Sequence, residues 1–345
     1  MRVAKGLVVV AVAAAIGVVS LWQFGCDKHP TKPDPSEPKD YPVYFCNQVN
    51  STLWIFHPLT RKLDSMVVPF EGEMRSVTVS ADGRLLYFFQ MERVLVLTAD
   101  SLRLVAELPY GGQVAISPDN YLLAIMGSDF NILRTTDWTV VYADTTGLYE
   151  GVFTKDSRTF YASESDSSWL FWVTTLDSTP TTHHKKFPTP VTHMIPTPDS
   201  NKLLLCLLWH FLSYDIARDS VLFDITVWPG LGYLGMTPDG RYGFFGNPST
   251  PFGELGTTDL YVFDVRANRI CDTMHIDHIL DSLQVWAAGV GEMVVTPDNR
   301  WLVAIDAPLG PHVLILYDLF KREAVYLHDF GANHWFGNIT VQQMR

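Results

Sequence analysis

The sequence predicts an all-β chain folded as a seven-bladed β-propeller of four-stranded antiparallel blades, and three observations predict it. A four-residue turn motif recurs six times, short apolar runs flank each copy, and leftover strands at the two ends supply one further blade. Self-similarity at a period of about 40–45 residues is the mark of a propeller, in which each repeat contributes one sheet to a ring.

The turn motif reads Ser or Thr, any residue, Asp, then a turn former. It stands as Ser80-Ala81-Asp82-Gly83, Ser117-Pro118-Asp119-Asn120, Thr154-Lys155-Asp156-Ser157, Thr197-Pro198-Asp199-Ser200, Thr237-Pro238-Asp239-Gly240 and Thr296-Pro297-Asp298-Asn299. The Asp residues are separated by 37, 37, 43, 40 and 59 positions, mostly one blade apart. Pro fixes φ, Asp bonds the backbone two residues on, and Gly or Asn accepts positive φ, so each motif joins two strands.

The strand before each motif is short, as in Val77-Thr78-Val79 or Val114-Ala115-Ile116. The strand after it is a near-continuous apolar run, as in residues 85–89 and 203–208, which is the pattern of a strand covered on both faces. A third strand follows at residues 94–97, 260–263 and 313–317, then a more polar fourth such as residues 104–108. Residues 43–45, 53–56 and 65–68 supply three strands with no motif before them, and residues 338–342 supply one with nothing after it. One plus three completes a seventh blade, so the C-terminal strand is expected to join the three N-terminal strands and remove an open edge.

On these six turns, residues 41–345 resemble the bacterial YVTN-type, WD40-like propeller repeats with a Ser-Pro-Asp-Gly turn. The resemblance implies the fold. It implies no single chemistry, because similar propellers serve as enzymes, cofactor shells and interaction platforms.

Ahead of the propeller, residues 1–26 begin with Arg2 and Lys5 and continue through an apolar stretch, Gly6 to Trp22, broken only by Ser20. That is the build of an export signal. From Gly6 to Gly25 the chain is also long enough to span a bilayer as a helix of about 30 Å, and length alone does not separate a cleaved leader from a retained one. The run ends Leu21-Trp22-Gln23-Phe24-Gly25-Cys26 and so resembles a bacterial lipoprotein signal, which implies lipidation of Cys26; Gly25 fits that pattern, whereas Gln23 and Phe24 depart from it. Each alternative places the domain outside the cytoplasmic membrane, in the periplasm or at the cell surface. Residues 27–40, with Pro30, Pro33, Pro35 and Pro38, form a semi-rigid linker of roughly 40 Å at about 3.1 Å per residue.

Composition narrows the partners. The net charge is −12, or −14 without Arg2 and Lys5, which opposes binding to nucleic acid or to anionic lipid surfaces and leaves the N-terminal anchor as the membrane contact. Cys46, Cys206 and Cys271 are odd in number and lie in strand-like segments, so buried thiols are expected. No Cys-x-x-Cys, phosphate-binding glycine loop, Gly-x-Ser-x-Gly or His-Glu-x-x-His occurs, and no cofactor is expected.

Aligning the repeats on the motif Asp reveals a polar column six residues before it: Ser76, Gln113, Glu150, His193, Tyr233 and Glu292. This position opens the innermost strand, so the side chains are expected to ring one mouth of the central channel, with Asn333, His334 or Trp335 as the seventh member. Convergent polar groups at a concave mouth define a candidate site, although a water-filled channel also needs no ligand to explain polar walls. Glu150, His193 and Glu292 have the chemistry of acid–base catalysts or divalent-cation ligands. Long links at residues 246–259, 275–291 and 306–312 enlarge the same face in the fifth and sixth blades, while His183-His184-Lys185-Lys186 forms a basic outer patch. The sequence therefore points to a monomeric, membrane-tethered binding or interaction scaffold that takes a protein or small-molecule ligand at its mouth. The resemblance implies one alternative, a lactonase-like propeller hydrolase using Glu150, His193 and Glu292.

Overall fold

The structure, a computed structural model, describes residues 39–164, 167–174, 179–226, 233–246, 259–275, 290–306, 313–331, 336 and 339–341. The N-terminal segment with Cys26, most of the proline-rich linker, the interiors of the three long links and Asn333, His334 and Trp335 lie outside these residues.

The turn motif shows why the chain folds as it does. Its fourth residue adopts the left-handed conformation in all six copies, with φ between 56° and 72° at Gly83, Asn120, Ser157, Ser200, Gly240 and Asn299. The first residue, buried each time, donates its hydroxyl to the motif Asp at 2.5–2.7 Å in five copies. The same hydroxyl accepts the backbone N–H five residues on, at 2.8–3.1 Å in all six. The Asp accepts the N–H two residues on. One buried hydroxyl thus joins both arms of the hairpin and orients the carboxylate that closes the turn. Replacing Thr296 by Val keeps the shape and leaves the Trp301 N–H unpaired. The expected cost is about 1–3 kcal/mol, seen as a lower urea midpoint at unchanged slope; an unchanged midpoint would show that the hydroxyl adds nothing.

Each hairpin extends into a four-stranded antiparallel sheet, and seven sheets result. The first six blades occupy residues 76–108, 113–144, 148–186, 191–226, 234–275 and 290–329. The seventh takes Val43–Asn47, Thr52–His57 and Lys62–Val67 from the N-terminus and Thr340–Val341 from the C-terminus, with Val43 opposite Val341 and Tyr44 opposite Thr340. Its outer strand starts three residues earlier than the sequence suggests, because Arg61 at φ 58° ends the preceding turn.

Apolar side chains alternate between two neighbours. In Leu85–Phe89, Leu86 and Phe88 pack toward the seventh blade while Tyr87 packs toward the second. In Lys202–Leu207, Leu203, Leu205 and Leu207 face the third blade, and Leu204 and Cys206 the fifth. Among the described residues the buried apolar side chains fall into seven clusters, one for each junction between adjacent blades. The core is thus a set of seams around a channel, which explains why the second strand of each repeat reads as continuously apolar. Turns also latch neighbours: the Ala81 N–H donates to Asn120 of the next blade at 2.7 Å, and the Asp119 N–H to Ser157 at 3.3 Å.

Cys46 and Cys206 are buried thiols, as their strands suggest. Cys271 departs from that expectation. It lies on an outer strand and is half-buried.

Candidate functional site

Antiparallel pairing brings the starts of the first and third strands of every blade, and the ends of the second and fourth, to one face of the ring. Ser76, Gln113, Glu150, His193, Tyr233 and Glu292 all line a single cavity of about 810 Å³ on that face. His334, the seventh expected member, lies outside the described residues.

In three blades the innermost strand departs from the regular ladder, and these departures coincide with the three ionisable residues. The innermost strands of the first and second blades, Ser76–Val79 and Gln113–Ile116, pair without interruption. By contrast, the register slips between Leu148 and Glu150 in the third blade, between Val191 and His193 in the fourth, and between Val290 and Met293 in the sixth. Such bulges insert an extra residue, bend the strand and re-aim its side chains. Tyr149 and Thr192 are the residues set out of register in the third and fourth blades. Both line the cavity; Tyr149 is 57% exposed, and the Thr192 hydroxyl donates to the Cys206 carbonyl at 3.2 Å. Sequence alignment found the column but not these two residues, since a bulge is decided by pairing with the next strand.

The opposite rim is built from backbone. A Cβ on Gly112 would sit 1.9 Å from the Met126 carbonyl oxygen, and one on Gly127 2.2 Å from that of Gly111. Only glycine permits this contact between the links of the first two blades.

His193 stands between two carboxylates from other blades. Its Nδ1 lies 3.2 Å from a Glu150 oxygen and its Nε2 3.7 Å from a Glu292 oxygen, with the three side chains 16%, 16% and 24% exposed. The Nδ1 contact is ionic, because that nitrogen has no hydrogen-bond partner of good geometry. Tyr233 packs edge-on against the imidazole, ring centres 5.7 Å apart. Burial works against the imidazolium, but the Glu150 and Glu292 carboxylates outweigh it and raise the His193 pKa to about 9. Burial also pushes Glu150 up, to about 7, against the pull of His193 and the Met194 N–H. Tyr149 and Tyr233 are raised by burial and by the nearby glutamates, so both phenols keep their protons.

This geometry suits some chemistry better than others. A divalent ion needs its ligands within about 2.0–2.6 Å of one point, yet the two carboxylates approach different nitrogens of one ring. Among the described residues no three His, Cys, Asp or Glu are placed to hold a metal ion. An imidazole held as the cation of an ion triad is also poorly disposed to accept a proton at neutral pH.

Elsewhere the surface is more self-contained. A cavity of about 980 Å³ opens between the fourth and fifth blades, lined by Asp199, Lys202, Asp239, Arg241, Asp264 and Arg266 in balanced numbers. The basic strand Thr181–Lys186 is exposed, but its charges are answered: His184 meets Glu164 at 2.9 Å, Lys185 meets Asp219, and Lys186 lies over the Trp169 ring.

No family model matches the chain, and no characterised protein matches it in sequence. Solved structures do match in shape. The β-propeller domain of Myceliophteria thermophila Cps50 (Swd1) superimposes with a TM-score of 0.60 at 11% identity, covering 76% of this chain and 87% of that one. Dihydro-heme d1 dehydrogenase NirN, in complex with DHE, superimposes with a TM-score of 0.58 at 12% identity, covering 90% and 77% respectively. At such identities the likeness shows the fold: this chain is a seven-bladed β-propeller.

Proposed function

We propose that the protein is a binding scaffold, held outside the cytoplasmic membrane by residues 1–26, that takes its ligand at the channel mouth. The observation that carries this reading is the convergence of six polar side chains from six blades on one 810 Å³ cavity, with strand bulges at the three ionisable ones. A rigid ring with an open, unevenly charged cup is built to hold something. The leader and linker supply the tether in this reading, while the ion triad favours holding a ligand over hydrolysing one.

Photocrosslinking in the native envelope tests both parts. A benzophenone amino acid is placed at Tyr149 on the mouth face or at Tyr121, which is 44% exposed on the opposite face. Adducts are expected at position 149 only, sedimenting with membranes unless residues 1–26 are removed. Equal adducts at both positions, or none, would refute the site; a soluble full-length chain would refute the tether.

A further inference from the structure

The mouth holds more negative than positive charge. Glu150 and Glu292 share one cation, His193, and the rim arginine, Arg75, is already matched by Glu73 at 4.0 Å. Beside the glutamates stand two aromatic rings, the edge-packed Tyr233 and the largely exposed Tyr149, which the bulge displaces from its ladder. Two carboxylates with aromatic faces in a sheltered cup attract an organic cation both by charge and by the negative faces of the rings. Resting on the binding reading above, we propose that the mouth recognises a cationic nitrogen, an alkylammonium or guanidinium group, bound by the Glu150 and Glu292 carboxylates on the cavity side of His193 with the Tyr149 ring beside it.

The protonation of the empty site gives this idea a distinctive signature. The groups facing the cup are Tyr149 and Glu150 of the third blade, His193 of the fourth with the Cys206 thiol behind it, Tyr233 of the fifth, Glu292 of the sixth, and Glu73 and Arg75 at the rim. Glu150 is pushed up by burial and His193 is held protonated by the glutamates. An incoming cation favours ionised Glu150 and competes with the imidazolium, so both groups shed protons when it binds. Affinity therefore rises with pH.

Calorimetry on the full-length protein in detergent tests the proposal with cadaverine, with a blocked Gly-Lys-Gly peptide and its acetyl-lysine counterpart, and with glutarate as an anion of matching length. One or both ammonium probes are expected to bind, three-fold or more tighter at pH 8 than at pH 6, with proton release to the buffer; acetyl-lysine and glutarate are not. Cadaverine binding points to a free amine as the natural source, and binding of the lysyl peptide alone to a side chain of a protein partner. Glu292→Gln should weaken binding at least ten-fold. The exposed Tyr149→Ala, which leaves the seams untouched, should weaken it about three-fold. Absence of binding by either ammonium probe, binding of glutarate, or equal affinity in both variants overturns the proposal. Should adducts still form at position 149 while the cations fail to bind or compete, the mouth is a binding site and the cation assignment alone is wrong.

Discussion

Replacing Phe211 by Ala is expected to cost about 3–5 kcal/mol, the usual penalty for removing a large aromatic side chain from a packed interior. Phe211 is fully buried in the seam between the fourth and fifth blades. It stacks on Phe245 with ring centres 4.1 Å apart and meets Phe263 edge-on at 5.0 Å. The rings lie on different blades, so truncation leaves a void where two rigid sheets meet and neither can collapse into it. Against a total stability of about 5–15 kcal/mol the loss is severe. Urea unfolding reads it as a fall in midpoint, with Val105→Ala, 47% exposed, as the neutral reference. A cost below about 1 kcal/mol would mean that the seam repacks, contrary to the interdigitated arrangement described above.

Stability is expected to fall as pH rises from 5 to 9, by an amount on the order of 3 kcal/mol. Both perturbed groups at the mouth bind their proton more tightly in the folded chain than in the unfolded one. The contribution of Glu150 is complete below about pH 4.5 and gone by about pH 7; that of His193 is complete below about pH 6.5 and gone by about pH 9. Carboxylates held low by neighbouring hydroxyls, Asp137 by Thr139 and Asp144 by Thr146, change charge only below this window. Thermal or urea unfolding across the range reads the profile. In Glu150→Gln the lower limb should vanish and the upper one should shrink, because His193 then keeps only the Glu292 carboxylate to hold its proton. A profile that is flat or rises between pH 5 and 9, and that the variant does not alter, would show that the triad contributes nothing to folding.

Much of this was legible in the chain. The motif Asp acts as a register mark, and counting six residues back from it reaches a side chain on the cavity wall in each of the six repeats. The doubly buried second strands announced themselves as unbroken apolar runs, because each serves two seams. What the sequence withheld depends on pairing rather than local pattern. Nothing in Leu148-Tyr149-Glu150 marks a bulge, since its register is set against Glu164 and Ser163 of the next strand. Nor does the column reveal that His193 lies between the two glutamates, an arrangement that separates metal ligands which spacing alone would have allowed. The glycine rim left a faint trace in Gly111-Gly112.

The seventh blade has a consequence for timing. Strand Val43–Asn47 leaves the ribosome about 290 residues before its partner Thr340–Val341. At about 5–20 residues per second the wait is roughly 15–60 s. Throughout that interval the first strand carries an unpaired edge of the kind that recruits strands from other chains. The ring is therefore assembled in order around its circumference but sealed only when Thr340–Val341 arrives, and the earliest-made strands are exposed longest.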